Sequence, residues 1–128
     1  MTTRIEPLLR AFYDQLMESQ YWPAERMLAY QHEQLGHLLT HARANSPFYA
    51  TRLDAVFRPD GTIDFGRWNE IPILKRSDLV EHRESMLAAN VPPHHGRAED
   101  YKTSGSTGVP ITVRANGIAA AISAIALA

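Results

Sequence analysis

Cysteine is absent from the 128 residues. Its absence excludes a disulfide scaffold, a thiolate-bound zinc centre and a cysteine nucleophile, and it fits a reducing compartment. Blocks of one charge sign are missing too. The 13 Lys and Arg nearly balance the 14 Asp and Glu, for a formal net charge of −1. No basic run offers a polyanion such as nucleic acid an electrostatic footprint. Long apolar runs are also lacking. The most apolar stretch, residues 117–128, is shorter than the ~20 residues needed to cross a bilayer. Residues 1–10 mix charges without the apolar centre of a secretory signal. The expectation is a cytoplasmic protein with neither nucleic acid nor membrane among its partners. What remains is ordinary globular composition: 45% of residues are hydrophobic, enough for one modest core.

Residues 5–20 carry Leu8, Leu9, Phe12, Leu16 and Met17 on one stripe, which predicts an amphipathic helix. Pro7 is tolerated in its first turn. Tyr21-Trp22-Pro23 interrupts, and Pro23 opens a second helix to about Ala44, with Met27, Leu28, Leu35, Leu38, Leu39 and Ala42 on its apolar face. Asn45-Ser46-Pro47 ends it, because a residue before proline is pushed out of the helical region. A short helical piece follows, with Leu53, Val56 and Phe57 on one side. Arg58-Pro59-Asp60-Gly61 is a turn signature, and Asp64 is placed to cap a helical turn containing Trp68. Ile71-Pro72-Ile73-Leu74 reads as extended. Arg76 or Ser77 opens one helix carrying Leu79, Val80, Met86 and Leu87, and residues 91–96 form a loop. A strand over 99–103 leads into a glycine loop, and β-branched Ile111-Thr112-Val113 leads out of it. Asn116 caps a final alanine-rich helix.

The loop is the most specialised stretch. Thr103-Ser104-Gly105-Ser106-Thr107-Gly108-Val109-Pro110 holds two glycines, four hydroxyl side chains and a closing proline. Glycine lets the chain turn and lets a ligand approach the main chain. Backbone N–H groups freed in such a turn form a nest for an anion, and the hydroxyls add donors. The pattern reads as a phosphate cradle. It is not a Walker loop, because no Gly-Lys-Ser/Thr follows, nor a dinucleotide fingerprint, because a third glycine is missing. It also lacks the spacing of a serine-hydrolase elbow. The bland alternative is a polar hairpin turn on the surface.

Histidine raises the question of a metal. His32 and His37 look like a zinc-protease pair set one residue too far apart, which puts His37 roughly 140° round the helix from His32. His37 and His41 have the required i, i+4 spacing but no third ligand. His94-His95 is a further weak pair. A surface or packing role is the expectation for all of them, and no metal ligand is assigned.

Three segments carry a family resemblance. The loop resembles the phosphate loop of adenylate-forming enzymes. Leu35, Leu38, Leu39, His41, Ala42 and Ser46-Pro47-Phe48-Tyr49 look like the N-terminal helical signature of the phenylacetate-CoA ligase-like branch. Ile71-Pro72-Ile73-Leu74-Lys75-Arg76-Ser77-Asp78-Leu79 resembles the segment between that helix and the loop. The resemblance implies ATP-dependent, AMP-forming ligation. A carboxylate attacks the α-phosphate, pyrophosphate leaves, and a thiol, commonly that of CoA, displaces AMP. It implies ATP and Mg²⁺ as cofactors, ATP and a carboxylic acid as partners, and Thr103, Ser104, Gly105, Ser106, Thr107 and Gly108 as phosphate contacts. Many superfamily members have a lysine beside the loop's last glycine or proline. Val109 and Ile111 stand there, which leaves phosphate holding to backbone and hydroxyl groups.

The expected fold is therefore mixed α+β. A helical N-terminal region covers residues 1–60, and residues 61–128 begin a larger α/β adenylation (AMP-binding) domain that is truncated at Ala128. The family's adenine pocket, acyl pocket and catalytic lysine lie further downstream, so no catalytic residue is assigned. The chain reads as the opening of a ligase, inactive alone and of marginal stability. It would need self-association or a complementing downstream polypeptide. The competing expectation is a non-catalytic helical interaction module or remnant whose amphipathic helices and exposed strand edges await a partner.

Overall fold

The computed structural model describes residues 5–105 and 108–126. The chain is a small α+β protein, mostly helical, with one two-stranded antiparallel sheet. Helix α1 (Ile5–Ser19) and helix α2 (Ala24–Asn45) form where the 3.6-residue apolar period runs. Pro23 sits one position earlier than its sequence role suggests. It is the N-cap, with φ −57° and ψ 150°, and its carbonyl accepts the Met27 N–H at 3.0 Å. The bend between the helices is held by Trp22. Its indole donates to Glu18 Oε1 at 3.1 Å, its ring meets Tyr30 edge-on at 5.6 Å, and the Arg26 guanidinium lies 3.8 Å over it.

Ser46 takes extended angles ahead of Pro47, and helix α3 (Pro47–Arg52) starts at that proline. A 3₁₀ turn, Asp54–Val56, follows. The core gathers here: Leu39 of α2, Leu53 and Val56 are buried. Each such side chain contributes about 1.5–3 kcal/mol relative to exposure. The Arg58-Pro59-Asp60-Gly61 turn is closed by Gly61 N–H to Arg58 O at 2.9 Å, and Gly61 takes φ +84°. Asp64 caps the next 3₁₀ segment, Phe65–Glu70, by accepting from Gly66 N at 3.0 Å.

One expected helix is two. Helix α4 (Arg76–Glu81) stops and helix α5 (Arg83–Met86) begins after His82, whose angles are φ −111° and ψ 15°. The His82 carbonyl accepts both the Met86 N–H at 3.0 Å and the Ser85 hydroxyl at 2.9 Å. In the 91–96 loop, Pro93–His95 forms a 3₁₀ turn.

Strands β1 (Ala98–Lys102) and β2 (Thr112–Asn116) pair antiparallel in the register Ala98↔Asn116 through Lys102↔Thr112. Asn116 ends β2, and its side-chain oxygen accepts the Ala119 N–H at 2.9 Å, as a cap should. Helix α6 (Gly117–Ala126) then packs on α1.

Candidate functional site

The glycine–hydroxyl stretch joins β1 to β2, the strand–loop–strand setting its flanks predict. Thr103 closes the neck twice. Its N–H donates to Ile111 O at 3.0 Å, and its Oγ1 accepts the Ile111 N–H at 3.0 Å. The hydroxyl thus takes the place of a ladder carbonyl. Gly105 turns the chain at φ +63°, and a β-carbon there would stand 2.9 Å from Gly108 O and 2.9 Å from Pro110 Cγ. The Gly108 N–H donates to Gly105 O at 3.0 Å. In this conformation the Gly108 amide is spent inside the turn, and the Thr103 hydroxyl oxygen is occupied as an acceptor. Ser104 is exposed. Ser106 and Thr107, the remaining two contact residues named from the sequence, lie outside the described residues.

The sequence puts no cation in residues 103–111, but the tertiary structure brings one there. Arg76 opens α4, and its guanidinium donates to Val109 O at 2.6 Å across 33 residues of sequence. The start of α4 is itself anchored. Asp78 Oδ2 accepts the Lys75 N–H at 2.8 Å and pairs with Arg52 Nη2 at 3.3 Å. Arg52 also donates to Ile73 O at 2.8 Å and Pro72 O at 3.1 Å. The Ile-Pro-Ile-Leu segment is therefore strapped to α3, and the strap sets where Arg76 projects.

A second arginine from the same region holds the hairpin. Arg83 Nη2 reaches Asp100 Oδ2 at 2.7 Å, and Arg114, opposite Asp100 in the ladder, pairs with Oδ1 at 2.8 Å. Arg114 foremost, with Arg83 adding to it, holds the Asp100 carboxyl below its ordinary pKa. The Arg114 guanidinium is shifted up by the same contact.

Ser46 is the remaining joint. Buried at 3% exposure, its hydroxyl is shared between Ser85 O at 3.0 Å and Met86 O at 3.1 Å. The Ala89 N–H donates to Asn45 O at 2.8 Å beside it. The Ser-Pro-Phe-Tyr signature thus docks the end of α5 onto the end of α2.

The histidines do not converge on a metal geometry. His32, His37 and His41 line a groove between α2 and the segment around residues 61–65. His32 is stacked on Phe65 at 4.0 Å with the rings 3° apart, and the Asn45 amide donates to His41 O at 2.9 Å. Among the described residues no group of three His, Cys, Asp or Glu is placed to hold an ion. His94 and His95 meet edge-on at 4.7 Å. No described helix is long and apolar enough to cross a membrane.

The site thus defines a class by geometry: an α+β chain that presents a glycine–hydroxyl loop on an arginine-clamped hairpin. No family model, curated protein or solved structure matches the chain.

Proposed function

We propose that this chain carries the ATP-phosphate loop of an AMP-forming carboxylate–CoA ligase-like enzyme. One observation carries the reading. The Thr-Ser-Gly-Ser-Thr-Gly-x-Pro stretch stands at the tip of a closed hairpin, turned by a glycine at φ +63°, with a guanidinium 2.6 Å from its main chain. In acyl-adenylate formation a carboxylate oxygen attacks the α-phosphate, and the departing pyrophosphate gains negative charge. Donors fixed in advance around that charge lower the barrier, because they need no reorganisation as it develops. Ser104, Gly105, Ser106 and Thr107 are the donors assigned to it. Thr103 holds the loop's shape through its oxygen and keeps its O–H as a further donor, while the Gly108 N–H is used within the turn.

Residues 103–111 contain no carboxylate, and Asp100 is held by Arg83 and Arg114. The donor set suits an anion, so Mg²⁺ would come bound to the nucleotide's phosphates, as that ion commonly does. The carboxylic acid, the adenine pocket and the acceptor thiol, CoA by resemblance, belong to polypeptide beyond this hairpin. Thioester formation is therefore not assigned to any residue here, and the enzyme activity is a property of a larger assembly.

Titration of magnesium pyrophosphate into isotopically labelled chain, followed by amide chemical shifts, tests the reading. The shifts are expected to move at Ser104 through Gly108. The combined Ser104→Ala, Ser106→Ala and Thr107→Ala variant is expected to bind at least about tenfold more weakly, the loss of about one charge-assisted hydrogen bond. Shifts confined to other surfaces would remove the loop from consideration.

A second reading, an interaction module, draws on a different observation. The chain exposes 9602 Å², whereas a compact monomer of its 14.4 kDa mass exposes about 6,800 Å². The difference exceeds the roughly 800 Å² that each partner covers in an ordinary protein–protein interface. Both readings require a further polypeptide surface, and the ligase reading accounts for the loop as well.

A further inference from the structure

Arg76 differs from the other hydrogen-bonded arginines around α3, α4 and the hairpin by where its charge goes; Lys102, at the end of β1, also lacks an ion pair among the described residues but makes no hydrogen bond to the loop. Arg52, Arg83 and Arg114 each face a carboxylate: Asp78 for the first, Asp100 for the other two. Arg43 faces Asp54 and Arg58 faces Asp64. Arg76 instead meets a neutral carbonyl, that of Val109 at 2.6 Å. No carboxylate among the described residues lies within ion-pair distance of it. A guanidinium has five N–H donors in a planar fork, and one hydrogen bond to Val109 uses one of them. Its positive charge is thus delivered, locally uncompensated, to a loop that has no basic side chain of its own.

The placement is built in from three sides. Asp78 accepts the Lys75 N–H and fixes the first turn of α4. Arg52 fixes Asp78 and the extended Pro72 and Ile73 carbonyls. Pro110 confines Val109, the residue before it, to extended angles. A free arginine on a surface loop would lose much side-chain freedom on binding an anion. Arg76 has already lost part of it to the Val109 contact.

Resting on the reading of residues 103–110 as a phosphate loop, we infer that Arg76 is that loop's cation. It pins the loop through Val109 and offers its remaining donors to an oxygen of a di- or triphosphate. The forked guanidinium suits this role better than an ammonium, because it bonds the main chain and an oxyanion at once.

The test uses the intact chain with magnesium pyrophosphate and, separately, inorganic phosphate, measured calorimetrically at low and high salt. Arg76→Gln keeps an N–H donor for Val109 O and removes the charge. Arg76→Lys keeps the charge and removes the fork. Arg76→Gln is expected to weaken pyrophosphate binding about tenfold to a hundredfold, to flatten its salt dependence and to leave the melting transition nearly in place. Arg76→Lys should fall between it and the unaltered chain. Pyrophosphate should lose more than inorganic phosphate in both variants. If the unaltered chain binds and Arg76→Gln binds equally well with the same salt dependence, the loop reading stands and Arg76 is not its cation. Equal losses in both variants, together with a lowered melting transition, would make Arg76 a strut and overturn the inference. If the unaltered chain binds no pyrophosphate, the loop reading fails and the inference falls with it.

Discussion

At position 105 backbone and packing impose the same requirement. The left-handed angle costs an L-residue about 1–2 kcal/mol, and a β-carbon would press within 2.9 Å of Gly108 O. Gly105→Ala is expected to destabilise the hairpin by at least that 1–2 kcal/mol, seen as faster amide exchange across β1 and β2. Asp100 makes a prediction of another kind. Its folded-state pKa lies below the ordinary carboxylate value because Arg114, then Arg83, bonds the carboxylate. A depressed carboxyl pKa stabilises the fold above the unfolded value and loses that contribution as pH falls through the folded one. Thermal melts below about pH 4 should therefore show an acid limb that Asp100→Asn flattens. An unchanged acid limb in the variant would mean that the Asp100 pairs do not matter to stability. Thr103 shows how one side chain serves geometry: its hydroxyl oxygen closes the hairpin neck where a carbonyl would otherwise stand, and its O–H donor is not used by that bond.

Among the elements, the short ones depend on polar ties more than on apolar area. Helices α4 and α5 contain no buried residue, Leu79 and Met86 being half-buried, and Arg52, Ser46, Arg76 and Arg83 supply the polar ties that link them to the rest of the chain. Arg52 and Asp78 are only 17% and 20% exposed, and the Arg52 guanidinium serves three acceptors. Arg52→Ala is expected to cost about 1.5–3 kcal/mol. Because α4 carries Arg76, it should also loosen residues 72–78 and the loop together. Hydrogen exchange that speeds up at α4 but leaves residues 103–111 untouched would break the proposed connection. Most elements were legible in the sequence for local reasons. The apolar period wrote α1 and α2, Asn-Ser-Pro ended α2, and β-branched residues flanked the glycine loop. The break at His82 was not legible, because no glycine or proline marks it between Arg76 and Met86.

At the scale of the whole molecule the chain is open. Tyr21 is 82% and Ile73 85% exposed, and three apolar side chains, only Val56 of them fully buried, make up the buried core among the described residues. Sedimentation over a range of concentrations is expected to show self-association, or a stable complex once the complementing polypeptide is supplied. A monodisperse monomer with a sharp melt would favour a self-sufficient module. The candidate site was half legible at this scale. Residues 103–110 stood out by composition alone, with two glycines, four hydroxyl side chains and a closing proline in eight residues. Arg76 did not, because a contact spanning 33 residues leaves no trace in periodicity or local spacing. The same holds for Arg83 with Asp100. Ile71-Pro72-Ile73-Leu74 and the loop read as separate motifs in the sequence, yet in the structure the first positions a charge on the second.

The Arg76 contact has a consequence for how this site would drift through evolution. Its acceptor is a main-chain oxygen, and every amino acid supplies one. Position 109 is therefore free to change its side chain while the contact persists. Selection on the arginine would appear as constancy at position 76 alone. Statistical methods that find contacts by paired substitutions would pass over the link between the two positions.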